Sequence, residues 1–173
     1  MGNAQSQSIK KTYCSDYKHS DIVNAIYTVL SRYQIEAMCD CASWLLRELL
    51  LHNKYNTTQV DLICSTVNNS NHVFVFDKLE HYYIDITSEQ FVDTKGEQIE
   101  PCIGSKTIEV FEELGYEISG ENTNEVCKTF CKQSCVLYDK GNPITRIQLL
   151  NEIKKHLGMK GGKRKKRKTK RNI

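Results

Sequence analysis

The chain reads as an α+β domain in which a cysteine-bearing helix packs on a small antiparallel sheet, with additional helices toward the C-terminus. Three observations predict this. Residues 40–51 carry Ala42, Leu45, Leu46, Leu49 and Leu50 at three- and four-residue steps, the period of an amphipathic helix. Residues 59–66, 71–77 and 81–86 are short runs rich in β-branched and aromatic residues, as expected of consecutive antiparallel strands. Ile144 to Leu157 then returns to the helical period, before Gly158, Gly161 and Gly162 end regular structure.

The remaining elements follow in order. Residues 1–18 are polar and aperiodic and predict a flexible N-terminal arm. Ser20 is placed to cap a helix from about Asp21 to Tyr33, with Ile22, Ile26, Val29, Leu30 and Tyr33 on its apolar face. His81, Tyr82 and Tyr83 read as edge-strand residues, and His19, His52 and His156 as solvated. Residues 106–114 fit either helix or strand, and 124–138 looks helical. Residues 19–158 thus form the predicted domain, followed by a disordered polybasic tail at 159–173. No internal repeat is visible.

The last fourteen residues hold nine of the 24 Lys and Arg and none of the 21 acidic residues. The rest of the chain therefore carries 15 basic against 21 acidic residues, near −6, while the whole is +3. The basic character belongs to the tail and not to the fold. Eight cysteines would suggest a disulfide framework in a small secreted protein. Without an apolar signal segment, and without an apolar run near the roughly 20 residues of a membrane helix, the expectation is an intracellular, mostly reduced chain. The sequons at Asn56 and Asn68 carry little weight in that setting.

The chemistry concentrates in Cys39, His72 and Asp85. A thiol at a helix start lies at the positive end of the macrodipole, where its thiolate is stabilised. Helix-start N–H groups also suit the oxyanion formed when a thiolate attacks a carbonyl. His72 opens the run Val73-Phe74-Val75-Phe76, so a strand would fix its imidazole. Asp85 ends the next run, where it could set the imidazole tautomer and stabilise the imidazolium. Cys41 competes for the nucleophile role. Two residues on is about 200° around a helix, so the two cysteines cannot both face His72.

These residues resemble a family. Cys39-Asp40-Cys41-Ala42-Ser43-Trp44-Leu45-Leu46, the His72 strand and the ending Asp85-Ile86-Thr87-Ser88-Glu89-Gln90-Phe91 together look like the transglutaminase-like branch of the papain-like cysteine proteases. The likeness covers roughly residues 36–91. It implies a papain-like core in which Cys39 is the nucleophile, His72 the base and Asp85 the orienting acid. It also selects Cys39 over Cys41, because only Cys39 has the apolar-small pair Ala42-Ser43 three and four positions on. Phe74 stands where Trp is usual, Ile86 where many members have Pro, and Asn53-Lys54-Tyr55-Asn56 where a glycine-rich connection is common. Gln34 lies one residue short of the register of an oxyanion glutamine.

The termini carry separate signals. Met1-Gly2-Asn3-Ala4-Gln5-Ser6 matches the N-myristoylation pattern, with Gly2 as acceptor. A single acyl chain anchors weakly and needs a second signal, which the tail supplies better than Lys10 and Lys11. Lys163, Arg164, Lys165, Lys166, Arg167, Lys168, Lys170 and Arg171 form a cationic run suited to anionic membrane or to nucleic acid without sequence preference. With no interleaved aromatics, it lacks the stacking platforms of base readers. Such tails resemble those ending many proteins of large DNA viruses. Cys127, Cys131 and Cys135, with Val126 and Phe130, share a helical face and read as a buried stripe, with a redox or disulfide role open. Their spacing lacks the paired clusters of a zinc site, and no metal or cofactor is expected.

Two functions follow. One is a cysteine-dependent peptidase or amidase, acting on a peptide or other amide through a thiol acyl-enzyme, with acyl transfer as a variant of the same chemistry. The other is a non-enzymatic scaffold, an adaptor or virion protein that links an acylated N-terminus to a polyanion.

Overall fold

The computed structural model of the protein describes residues 12–33, 38–118 and 136–159. Helices α1 (Ser20–Leu30) and α2 (Met38–His52) come first. Strands β1 (Val60–Val67), β2 (Ser70–Asp77) and β3 (Tyr82–Asp85) follow, then a 3-10 turn at Ser88–Gln90. Strand β4 (Ile103–Ser105), helix α3 (Glu109–Glu113) and strand β5 (Glu117–Ile118) complete the central part. A hairpin of β6 (Val136–Asp139) and β7 (Asn142–Thr145) leads into α4 (Arg146–His156). The main sheet is antiparallel throughout, in the order β4-β3-β2-β1-β5. The expected α+β arrangement is present.

The β1–β2 hairpin is set by two asparagines. Asn68 and Asn69 both take positive φ, 48° and 62°, the conformation a two-residue hairpin loop requires and asparagine tolerates. Register then follows without freedom: Val67 pairs Ser70, and Ser65 falls opposite His72. Asn68 also latches the hairpin to the loop beyond β3, since its side chain donates to the Val92 carbonyl and accepts from the Val92 N–H.

Alternation along the strands gives the sheet two buried faces. Val73, Val75, Tyr82 and Ile84 pack with Leu45, Leu46, Leu49 and Leu50 of α2, with α1, and with Leu149 and Ile153 of α4. Each such leucine, fully buried, contributes about 1.5–3 kcal/mol of transfer free energy. Phe74 lies on the other face, with Val67, Phe91, Ile99, Phe111 and Tyr116. His72 and Asp85 alternate onto that second face, so the sheet itself brings them to one side.

The structure corrects several expectations. The part of the predicted arm within the described residues, from position 12, ends anchored and not loose: Tyr17 is 3% exposed and donates to Asp77 at 2.6 Å. Asp77 explains why a polar segment packs. Its fully buried carboxylate takes hydroxyls from Tyr17 and Tyr55 and N–H groups from Leu79 and Glu80. His19, expected in solvent, bonds Tyr55 at 2.9 Å within this network. Ser20 lies inside α1, and His19 at the cap position makes no capping bond. Tyr82 is no edge residue, because β3 pairs with both β2 and β4 and the ring is 1% exposed. Residues 136–138 are strand and not helix, since they pair with β7. Helix α4 starts only at Arg146, where Thr145 and Gln148 form a capping box.

Cys64 is disulfide-bonded. Cys14, Cys39, Cys41 and Cys102 form no disulfide. The expectation of a mostly reduced chain therefore has an exception at Cys64. Among the described residues, no helix is long and apolar enough to cross a membrane. Gly2, Gln34, the Cys127, Cys131 and Cys135 stripe and the basic residues from Lys163 to Arg171 lie outside the described residues.

Tyr17→Phe keeps the ring stacked on Tyr82 but removes one donor to Asp77. A hydrogen bond to a buried charge contributes about 1.5–3 kcal/mol. Urea unfolding should show a loss of that size, and an unchanged midpoint would deny the arm its anchoring role.

Candidate active site

Asp85 is fully enclosed, 1% exposed at the end of β3. A buried carboxylate persists only where donors replace its water. Four do so. Oδ1 accepts from the Thr87 N–H at 2.9 Å and the Thr87 hydroxyl at 3.2 Å. Oδ2 accepts from His72 Nε2 at 2.6 Å and the Tyr116 hydroxyl at 2.7 Å. Burial pushes its pKa up, but the imidazolium charge and these bonds outweigh burial and hold the carboxyl below its ordinary range.

His72 is held just as firmly. Phe91 meets its ring edge to face at 4.7 Å, and Tyr116 does the same at 5.8 Å. Burial disfavours the imidazolium, yet the charge and hydrogen bond of Asp85, with a smaller contribution from Cys39, raise its pKa to about 10. Nδ1 is buried without a close hydrogen bond. Since Nε2 is taken by Asp85, Nδ1 is the nitrogen left for the Cys39 thiol, which is near enough to raise the proton affinity of the ring.

Cys39 stands in the first turn of α2, half-buried, while Cys41 is 0% exposed and belongs to the core beneath the helix. The helix is seated by Ser43, whose hydroxyl donates to the Val73 carbonyl next to His72 at 3.0 Å. The other free thiols differ from Cys39 in setting. Burial, then Asp16 and Asp85, push the Cys14 thiol up to about 12, and Cys14 donates to the Cys102 carbonyl. Burial raises Cys102 as well, and its thiol donates to the Ile86 carbonyl.

The structure thus brings Cys39, His72 and Asp85 together and sets Cys41 apart. Sequence reasoning missed Tyr116, the second side chain on Asp85. Its placement has a local cause. Helix α3 ends with Gly115 at φ 94°, and the turn closes with Gly115 N–H to the Glu112 carbonyl and Tyr116 N–H to the Phe111 carbonyl. This is the Schellman arrangement, in which the residue after the glycine folds back onto the last helical turn. Tyr116 duly packs on Phe111 at 5.3 Å and reaches Asp85. The signal in the sequence was Phe111-x-x-Leu114-Gly115-Tyr116. Ser65 was also missed: opposite His72 on β1, its buried hydroxyl has no hydrogen-bond partner among the described residues.

The Asp85 to Phe91 ending acquires a physical reading. Thr87 donates twice to Asp85, and Phe91 flanks the imidazole. Among the described residues, no group of three or more His, Cys, Asp or Glu is arranged to hold a metal ion. No protein-family model matches the chain, and comparison with curated proteins and with solved structures gave no match.

The pair also makes stability depend on pH. The raised His72 contributes fully below its ordinary 6.5, and this is lost as pH climbs through about 10. The depressed Asp85 contributes above the ordinary carboxylate range, and this is lost as pH falls through its lowered value. In Asp85→Asn, burial dominates at His72, so its pKa should drop from about 10 to 6.5 or below. Imidazole NMR titration reads this directly. A value still near 10 in the variant would mean that Asp85 does not set the charge of the ring.

Proposed function

We propose that the protein is a cysteine-dependent peptidase or amidase that works through a thiol acyl-enzyme, with Cys39 as nucleophile, His72 as acid and base, and Asp85 as the orienting carboxylate. The observation that carries this reading is the buried His72–Asp85 bond at 2.6 Å, with the Cys39 thiol close enough to raise the proton affinity of the same ring. A structural histidine needs no carboxylate held by three further donors and no neighbouring thiol at a helix start.

The chemistry follows from the geometry. With His72 held protonated across the neutral range, the reactive state is a thiolate beside an imidazolium. The Cys39 sulfur attacks the amide carbon and forms the S–C bond, while the helix-start N–H groups oppose the charge on the carbonyl oxygen. As the C–N bond breaks, His72 delivers its proton to the leaving amine. Water then attacks the thioester with His72 taking its proton, the C–S bond breaks, and the step frees a carboxylic acid and restores the thiolate beside the imidazolium. An amine in place of water would give acyl transfer by the same steps. Throughout, Asp85 offsets the charge on the imidazole and fixes its orientation.

The termini have a part of their own in the proposal. Acylation at Gly2 and the nine cations of the tail suit contact with an anionic membrane, or with nucleic acid, while the body stays near −6. The likeness of the tail to those of large DNA viruses suits a virion or an infected cell.

The test is the covalent intermediate. Mixed with a panel of activated peptide esters and amides and quenched in acid, the protein should gain the mass of one acyl group, and Cys39→Ser should lose the thioester. The rate of acylation should fall as pH rises through about 10, where His72 loses its proton. A chain that forms no adduct across the panel, yet still binds anionic vesicles or nucleic acid, would return it to the non-enzymatic adaptor reading.

A further inference from the structure

Arg146 is the first residue of α4, and its side chain is 7% exposed. Its Nη2 lies 2.8 Å from Oδ2 of Asp40, a residue 106 positions earlier and the one directly after Cys39. The guanidinium also stands over Trp44, 5.7 Å from the ring centroid. Asp40 and Trp44 are one helical turn apart, so both meet Arg146 from a single stripe of α2.

Burying such a pair is expensive in desolvation, and an apolar pair of the same shape often packs as well. Helix α4 already has apolar anchors in Leu149 and Ile153, both 0% exposed. It is further tied to the end of α1 by Arg32 and Tyr33, which both bond Glu152. The ion pair is therefore surplus to docking α4. Its placement matters more for the thiol. Asp40 favours the helix start as a carboxylate, but the same negative charge opposes a thiolate on the preceding residue.

We propose that Arg146 is a positioning residue for the nucleophile: it neutralises Asp40 in the first turn of α2, so that the helix keeps its acidic start without opposing the Cys39 thiolate. The proposal rests on the reading of Cys39 as nucleophile and adds the C-terminal hairpin and α4 to the machinery that sets its reactivity. Among the described residues, the charged and titratable groups around the start of α2 include His72 on β2, Asp85 behind it, Tyr116 after α3, Asp40 itself and Arg146.

The experiment is the pH profile of Cys39 alkylation by iodoacetamide in the full-length protein, followed by peptide mapping. Removing the cation in Arg146→Met should raise the midpoint of the profile by about one pH unit, which is about tenfold slower labelling below it. Arg146→Lys should retain most of the wild-type midpoint. Asp40→Asn/Arg146→Met should restore it, although the pair is gone, because the opposing charge has gone too. Should Arg146→Met fail to fold, Asp40→Asn alone decides, with a midpoint below that of the wild type. An unmoved midpoint in Arg146→Met or Asp40→Asn overturns the proposal, as does a double variant that behaves like Arg146→Met. A wild-type Cys39 that labels no faster than Cys14 overturns the nucleophile reading itself and this proposal with it.

Discussion

A carboxylate removed from water constrains the rest of this molecule. Asp85 is satisfied by donors from β2, from the turn after β3 and from the residue that follows α3. Each donor is placed by a different piece of local chemistry: strand register for His72, an Asx-type turn for Thr87, and a glycine-ended helix for Tyr116. Loss of any one leaves a buried charge short of a partner, a deficit of about 1–3 kcal/mol or more. The segment from Thr87 to Tyr116, otherwise a string of short elements, joins the sheet through β4 and the Asn68–Val92 bonds, and Asp85 ties both of its ends to the imidazole.

The sheet has a second centre of the same kind. Asp77 ends β2 as Asp85 ends β3, and it too is buried with four donors. The two carboxylates belong to opposite faces. Asp77 collects tyrosines from the N-terminal segment and from the loop after α2, and so closes the face that α1, α2 and α4 cover. Asp85 collects a histidine and a tyrosine and closes the aromatic face. Strand β2 links them, with His72 near one end and Asp77 at the other. The placement of α2 on this strand decides where Cys39 arrives. Ser43, bonded to the Val73 carbonyl, fixes that placement beside the imidazole.

What the residues disclosed in advance was whatever rests on local period. The leucines of α2 and the three strands β1 to β3 are regular over enough residues to be read, whereas the Asn68-Asn69 turn between β1 and β2 was not. The order Cys39, His72, Asp85 followed from them. The choice of Cys39 over Cys41 rested on the Ala42-Ser43 pair that follows Cys39, since helix rotation says only that the two cannot share a face; Cys39 is half-buried and Cys41 lies in the core. Illegible were contacts that join distant segments. Tyr116 meets Asp85 across 31 positions and Arg146 meets Asp40 across 106, and neither separation leaves a periodic trace. Strands β4 and β5, with three and two residues, are too short to show alternation. The segment around Tyr17 looked like a loose arm because its composition is polar, and its order comes from a partner sixty residues away.

The central claim is that Cys39 is an activated thiol because His72 and Asp85 activate it. It is tested most directly by competitive labelling at neutral pH, with a limiting electrophile and peptide mapping of every free cysteine. Cys39 should label far ahead of Cys14, whose thiol burial pushes up to about 12, and His72→Ala should bring Cys39 down to the rate of an ordinary cysteine. Equal labelling of Cys39 in the wild type and in His72→Ala would contradict the account.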